Sequence, residues 1–209
     1  MKQAIINNTM NSIKKYKDFN DIKLAEIKYG LESLYLTITK IIVVILISIP
    51  LNTTKELLYI FLFYGLLRIS GFGAHAKKSI HCWIFTISVF ILIPYLAKTL
   101  FISKITSIII MSFLLIPIII YAPADTEKRP LIHVKKRKIY KVICSLNTLA
   151  YLLITIFAYN QYFSNIFLFS ILIQVIMVLP ITYKLLGIKY NNYKTYKRKE
   201  DIKWNYLLQ

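Results

Sequence analysis

The chain has 209 residues, of which 57% are hydrophobic and 17% are charged, and its formal net charge is +18. This length suits a single domain over residues 1–209, but the composition is too apolar for a soluble domain of that size. We therefore predict an all-α integral membrane protein that has the lipid bilayer as its solvent. The only two cysteines, Cys82 and Cys144, lie beside basic sequence and inside an apolar run respectively, so reduced thiols are expected rather than a disulfide.

The first part of the chain, residues 1–33, is predicted to be an amphipathic region at the membrane interface. Apolar residues recur at spacings of three and four at Leu24, Ile27, Leu31 and Leu34, and charged residues lie off that line. No apolar stretch followed by a small-residue cleavage site occurs in this region, so no removable signal peptide is expected.

Six apolar segments follow and predict six membrane-spanning helices. Their continuous apolar runs lack the alternation of a strand, and the bilayer favours helices because all backbone hydrogen bonds are then internal. The second and third segments are shorter than the roughly 20 residues that a crossing needs, which predicts a shortened or broken helical hairpin. The segments are residues 34–51, 57–67, 83–97, 105–122, 142–159 and 166–183, within a bundle over residues 34–183 and before a basic tail over residues 184–209.

The distribution of Lys and Arg predicts that both termini face the cytoplasm. With that orientation the outside loops hold only Lys55, Lys98 and Lys104, and nearly all other basic residues lie inside. A net charge of +18 would also suit binding to nucleic acid. The basic residues occupy the positions that cytoplasmic loops of membrane proteins use to contact anionic lipid, so no nucleic-acid partner is expected.

The stretch RISGFGAHAKKSIHC, residues 68–82, concentrates residues that a passive connection between two spans would not need. Cys82 is predicted at the start of a helix, three residues after Ser79, a candidate N-cap. The positive end of a helix favours the thiolate form, as do the nearby cations Arg68, Lys77 and Lys78. A thiolate is the form that attacks a peptide carbonyl.

His75 lies seven residues before Cys82. In one continuous helix the two side chains would share a face but stand roughly 10 Å apart, too far for a hydrogen bond. Gly71 and Gly73 permit unusual backbone conformations, and a cap at Ser79 would begin a new helix. These features predict that His75 lies on a loop that folds back, where it can act as base toward Cys82 and as acid toward a leaving amine.

Other roles fit these residues less well. His81 adjoins Cys82 but would point about 100° away from it on a helix. A zinc site built from His75, His81, Cys82 and His133 has spacings that match no common ligand pattern, so neither a metal nor another cofactor is predicted. Cys144 lies inside an apolar span, where a small buried hydrophobic residue is the expected role. A single Cys and His in a loop are by default structural.

Three sequence blocks carry a resemblance that favours catalysis. They are Arg68, Gly73, Ala74, His75, Ala76 and Cys82 in the pattern R-x(4)-G-A-H-A-x(5)-C, the string YAPADTEKRP over residues 121–130, and KYGLE over residues 28–32. In this the chain resembles the accessory gene regulator B (AgrB) family, membrane endopeptidases that process quorum-sensing propeptides in Gram-positive bacteria. The resemblance extends in matching order from the amphipathic segment to the sixth span.

The resemblance implies a thiol endopeptidase that cuts a short AgrD-like precursor, with Cys82 and His75 as the catalytic pair. It also implies that a cysteine of the precursor resolves the acyl-enzyme into a thiolactone ring, and that the enzyme is a homodimer in the cell membrane. Arg68, Gly73 and Ser79 are expected to support the site, and Glu32 or Asp125 to orient His75. The competing hypothesis is a transporter or export channel for a signal peptide, which would more often carry paired ionisable groups at mid-membrane than these spans do.

Overall fold

The computed structural model describes residues 2–16, 19–75, 79–126 and 131–194, and these residues form eight helices. The fold is that of an all-α membrane protein, as the apolar runs predict, and the described residues contain no strand beyond isolated bridges. The helices are α1 (Lys2–Tyr16), α2 (Asp21–Ser48), α3 (Thr54–Gly71), α4 (Ser79–Thr99), α5 (Lys104–Tyr121), α6 (Val134–Phe157), α7 (Gln161–Val178) and α8 (Pro180–Leu185).

Two compact units make up the chain, residues 1–50 and residues 51–209. The first unit contains α1 and α2, which contact each other. Asn20 begins α2, because its side chain accepts a hydrogen bond from the backbone N–H of Lys23 at 2.9 Å. The end of the predicted amphipathic region and most of the predicted first span form one continuous helix of 28 residues, about 42 Å long at 1.5 Å per residue. That length exceeds a hydrocarbon core of roughly 30 Å, so part of α2 extends beyond it.

Five of the helices are long and apolar enough to cross a membrane, namely α2, α4, α5, α6 and α7. Helix α3 has 18 residues and extends beyond the predicted segment 57–67 at both ends, where it includes Lys55, Glu56 and Arg68. Helix α4 likewise extends beyond the predicted segment 83–97. The apolar run alone underestimates both helices because their terminal turns carry polar and charged side chains that can reach the headgroup region.

The predicted sixth span, residues 166–183, is wrong at its C-terminal end. Helix α7 ends at Val178, and α8 begins at Pro180 after a break at Leu179, which has an extended ψ of 134°. A residue before proline is pushed out of the helical conformation by the proline ring, so the continuous apolar run conceals a helix boundary.

Helix α7 is the centre of the second unit and packs against α3, α4, α5 and α6. Most of its residues are buried, among them the polar residues Ser164, Asn165, Ser170 and Gln174. The two ends of this bundle follow from the chain direction. Helices α3, α5 and α7 finish at the end where α4 and α6 begin, which we call the Cys82 end, and the opposite end carries the short connections 100–103 and 158–160.

Candidate active site

Cys82 and His75 meet at the Cys82 end of the bundle. The Cys82 Sγ atom lies 3.9 Å from His75 Nδ1, within the range of a hydrogen bond to sulfur. Cys82 is in the first turn of α4 and is half-buried, whereas His75 is exposed on the non-helical segment that follows α3. A thiol at a helix N-terminus beside an imidazole and open to solvent has the surroundings of a reactive cysteine rather than an inert one.

Backbone hydrogen bonds fix the segment that leads to His75. The N–H of Gly73 donates to Ala124 O at 2.8 Å, and the N–H of Ala124 donates back to Gly71 O at 3.0 Å. The N–H of Ala74 donates to Met177 O at 2.8 Å, at the end of α7. The segment is therefore held between the α5–α6 connection and the central helix by hydrogen bonds that extend to Ala74, the residue before His75.

The Arg68 side chain also holds this segment in place through hydrogen bonds to its backbone. Its guanidinium donates to Phe72 O at 2.5 Å, to Gly73 O at 3.3 Å and to Ala74 O at 3.0 Å. Arg68 lies in the last turn of α3, where a cation also offsets the negative end of the helix. The planar guanidinium has five donors and can bind all three carbonyls at once. A lysine ammonium cannot reproduce this geometry.

Two glycines permit this close packing. Gly73 has φ of +128°, and a Cβ built on it would lie 2.7 Å from Met177 O and closer still to the Arg68 guanidinium. A Cβ on Gly71 would clash with the Gln174 amide and lie 2.9 Å from Cys144 Sγ. Between them Phe72 adopts φ of +54°, a conformation that costs a non-glycine residue roughly 1–3 kcal/mol. Such strain persists only where the surrounding contacts over-determine the backbone.

Asp125 stabilises the connection on which the His75 segment rests. Its carboxylate is 1% exposed and accepts hydrogen bonds from the N–H of Tyr193 at 2.8 Å and of Leu131 at 3.3 Å. Arg137 lies 4.0 Å away and also stacks on the Tyr193 ring, with 3.6 Å between its guanidinium carbon and the ring centroid. Any support that Asp125 gives to His75 would therefore pass through its neighbour Ala124 and on to Gly73.

Two other predicted site residues, Glu32 and Ser79, are left untested by the structure. Glu32 lies on α2, in the first of the two units, and its role toward His75 stays a prediction. Helix α4 is described from Ser79 onward, but the side chains of Ser79 and His81 lie outside the described part, and the proposed cap with them. In the part of the chain that is described, no three His, Cys, Asp or Glu side chains group closely enough to hold a metal ion.

Three residues that support the His75 segment are not predicted from the sequence. They are Gln174, Met177 and Tyr183. The Gln174 amide donates to Phe72 O at 3.0 Å, and the Tyr183 hydroxyl donates to Ala124 O at 3.0 Å. Burial raises the pKa of Tyr183, so its hydroxyl stays protonated as a donor at neutral pH. The only signal for Gln174 is a polar side chain within an apolar span, and Met177 contributes a backbone carbonyl that carries no signal at all.

Fold and site together define a membrane protein with several helical spans and a thiol and imidazole paired at one end of its bundle. The sequence model described as Accessory gene regulator B matches residues 6–178. The chain belongs to the accessory gene regulator B family, and so takes part in an accessory gene regulator system of quorum sensing.

Relatives from Gram-positive bacteria agree with this assignment. A putative AgrB-like protein of Clostridium acetobutylicum is 31% identical over 188 residues, which cover 89% of either chain. The accessory gene regulator protein B of Staphylococcus aureus is 34% identical over 173 residues, covering 81% of this chain and 89% of that protein. A putative AgrB-like protein of Listeria monocytogenes is 30% identical over 172 residues, covering 82% of this chain and 84% of its own. No solved structure matches significantly.

Proposed function

We propose that the chain is a cysteine endopeptidase of the cell membrane that cuts an AgrD-like precursor peptide, with Cys82 as nucleophile and His75 as acid and base. The observation that carries this proposal is the separation of 3.9 Å between Cys82 Sγ, in the first turn of α4, and His75 Nδ1, on the segment that follows α3. Family membership supports an AgrD-type partner in general.

The chemistry proceeds in two steps. The Cys82 thiolate attacks the scissile carbonyl, a C–S bond forms, and the C–N bond breaks as His75 gives its proton to the leaving amine. The result is a thioester between Cys82 and the N-terminal part of the precursor, with the C-terminal part released as a free amine. Transfer of the acyl group to a thiol of the precursor then forms a thiolactone ring and regenerates the Cys82 thiol.

The surroundings of the pair suit this substrate and membrane topology. Lys135, Lys136 and Lys138 are exposed in the first turns of α6, at the same end of the bundle as Cys82. Their charge would attract an acidic peptide tail over about a Debye length. The positive-inside rule assigns this basic end to the cytoplasm, where the precursor is made. The homodimer that the family resemblance implies belongs to the same proposal.

An acyl-enzyme adduct is the expected signature of this function. Purified protein mixed with a synthetic precursor should gain the mass of the N-terminal precursor fragment on Cys82, and hydroxylamine should remove it, because hydroxylamine cleaves thioesters. Intact-protein mass spectrometry measures both. The precursor for this experiment has its own cysteine replaced by alanine, so that the intermediate cannot resolve into a ring.

The competing transporter function predicts a different outcome. Protein reconstituted into vesicles would then move the precursor across the membrane uncut, with no adduct at any cysteine. Adduct formation on Cys82 with cleaved precursor supports the peptidase, and transport without cleavage would reject it.

A further inference from the structure

The opposite end of the bundle contains a cavity of about 680 Å³ that the proposed peptidase mechanism does not use. The N-termini of α3 and α7 and the C-terminus of α4 lie beside this cavity. The side chains that determine its chemistry are Lys55, Glu56, Tyr59, Lys98 and Tyr162.

The cavity is built for an anionic group. The first turns of α3 and α7, which have 18 residues each, present the positive ends of two helices to it. In the described part of the chain, neither Lys55 nor Lys98 has a carboxylate within 4.0 Å, and Lys98 donates only to the carbonyl of Asn52. Two lysines and two helix ends thus outweigh the one carboxylate that lines the cavity, that of Glu56, which is 6% exposed.

The surface of α3 next to the cavity is apolar. Leu58, Leu62 and Leu66 recur every four residues along one face of α3, and they are 52%, 54% and 44% exposed. Tyr59, Tyr162 and Phe163 surround the mouth, with ring centroids 5.3 to 6.1 Å apart. Tyrosine at the end of an apolar helix is typical of the level of the lipid headgroups. A ligand with a charged head and apolar tails fits this arrangement, whereas a free anion would leave the apolar face unused.

We propose that this cavity is a binding site for one anionic phospholipid with a hydroxylated head group. Lys55 and Lys98 bind its phosphodiester, Glu56 accepts a hydrogen bond from a head-group hydroxyl, and the acyl chains lie along the leucine face of α3. The site is at the opposite end of the bundle from Cys82, so this proposal is independent of the peptidase reaction.

Lipid retention measured by native mass spectrometry tests the site. The full-length protein is released from mixed micelles of phosphatidylglycerol and phosphatidylcholine, and the affinity for phosphatidylglycerol is obtained from the bound fraction at several lipid concentrations. The double variant Lys55→Gln/Lys98→Gln is expected to bind it roughly 30-fold more weakly, because each basic residue near the membrane surface contributes about a factor of five. The matched control is Lys104→Gln, a lysine at the same end of the bundle that does not line the cavity.

Two further arms make the outcome decisive. Lys55→Arg/Lys98→Arg keeps both charges and should retain the lipid, which separates loss of charge from loss of folding. Excess glycerol 1-phosphate, which carries the head-group chemistry without acyl chains, should not displace the lipid. Equal retention in the wild type and the Gln double variant would overturn the site, and displacement by glycerol phosphate would overturn its assignment to a lipid.

Discussion

Cys82→Ala is expected to abolish precursor cleavage, with a loss on the order of 10³-fold or more, because the Cys82 thiol is the group that forms the acyl intermediate. Its matched control is Cys144→Ala, which removes the only other thiol of the chain. Cys144 is fully buried within α6, and its Sγ lies 3.8 Å from Leu67 O in the interior of the bundle. Cleavage by Cys144→Ala should stay within a few-fold of the wild type.

Co-expression of a tagged precursor, with the cleaved fragment quantified by immunoblot, measures this difference. Each variant is compared at equal amounts of membrane-inserted protein. Persistent cleavage by Cys82→Ala, or loss of cleavage only in Cys144→Ala, would assign the nucleophile to another residue and reject the proposed site.

Gly73→Ala is expected to lower cleavage roughly 100-fold although Gly73 bears no reactive group. The added Cβ would meet Met177 O at 2.7 Å and the Arg68 guanidinium, on a backbone with φ of +128° that disfavours any side chain. To relieve this clash the segment must move, and His75, which lies two residues after Gly73, moves with it. A displacement of about 1 Å can lower the rate 10²-fold. The same change should lower the free energy of unfolding by about 2 kcal/mol.

Gly65→Ala is the matched control for this substitution. Gly65 lies in the interior of α3, and a Cβ built on it has nothing within 4 Å. Cleavage should match the wild type, and the Tm should equal or slightly exceed that of the wild type, because alanine is the better helix former. The cleavage rate and the Tm of each variant in detergent provide the comparison. If Gly73→Ala cleaves as well as Gly65→Ala, the packing against Met177 does not position His75.

The return of His75 toward Cys82 can be predicted from local sequence. Gly71 and Gly73 end α3, and a continuous helix would keep the imidazole too far from the thiol, so only a break between them allows a pair. The all-helical membrane fold can be predicted equally well, because a long continuous apolar run in lipid satisfies its backbone hydrogen bonds by forming a helix. Both inferences depend on residues close together in the chain.

The partners that hold the His75 segment cannot be predicted in this way. Gln174 reaches Phe72 from 102 residues further along the chain, and Met177 acts through a backbone carbonyl that any residue would supply. Asp125 illustrates the same limit. Its sequence position suggests a residue that orients His75 directly, whereas its observed partners are Tyr193, Leu131 and Arg137. Tertiary packing, which no local pattern encodes, decides these contacts.

Alkylation of Cys82 by iodoacetamide, compared between the wild type and His75→Ala, tests the pairing of thiol and imidazole most directly. Only the thiolate reacts, so the rate at neutral pH reports how far the site favours that form. Peptide mass spectrometry follows each cysteine separately, and buried Cys144 serves as the unreactive reference within the same chain. We predict rapid labelling of Cys82 in the wild type and labelling at least several-fold slower in His75→Ala at neutral pH, with the two rates converging at alkaline pH. An unreactive Cys82, or equal rates in both proteins at neutral pH, would contradict the proposed site.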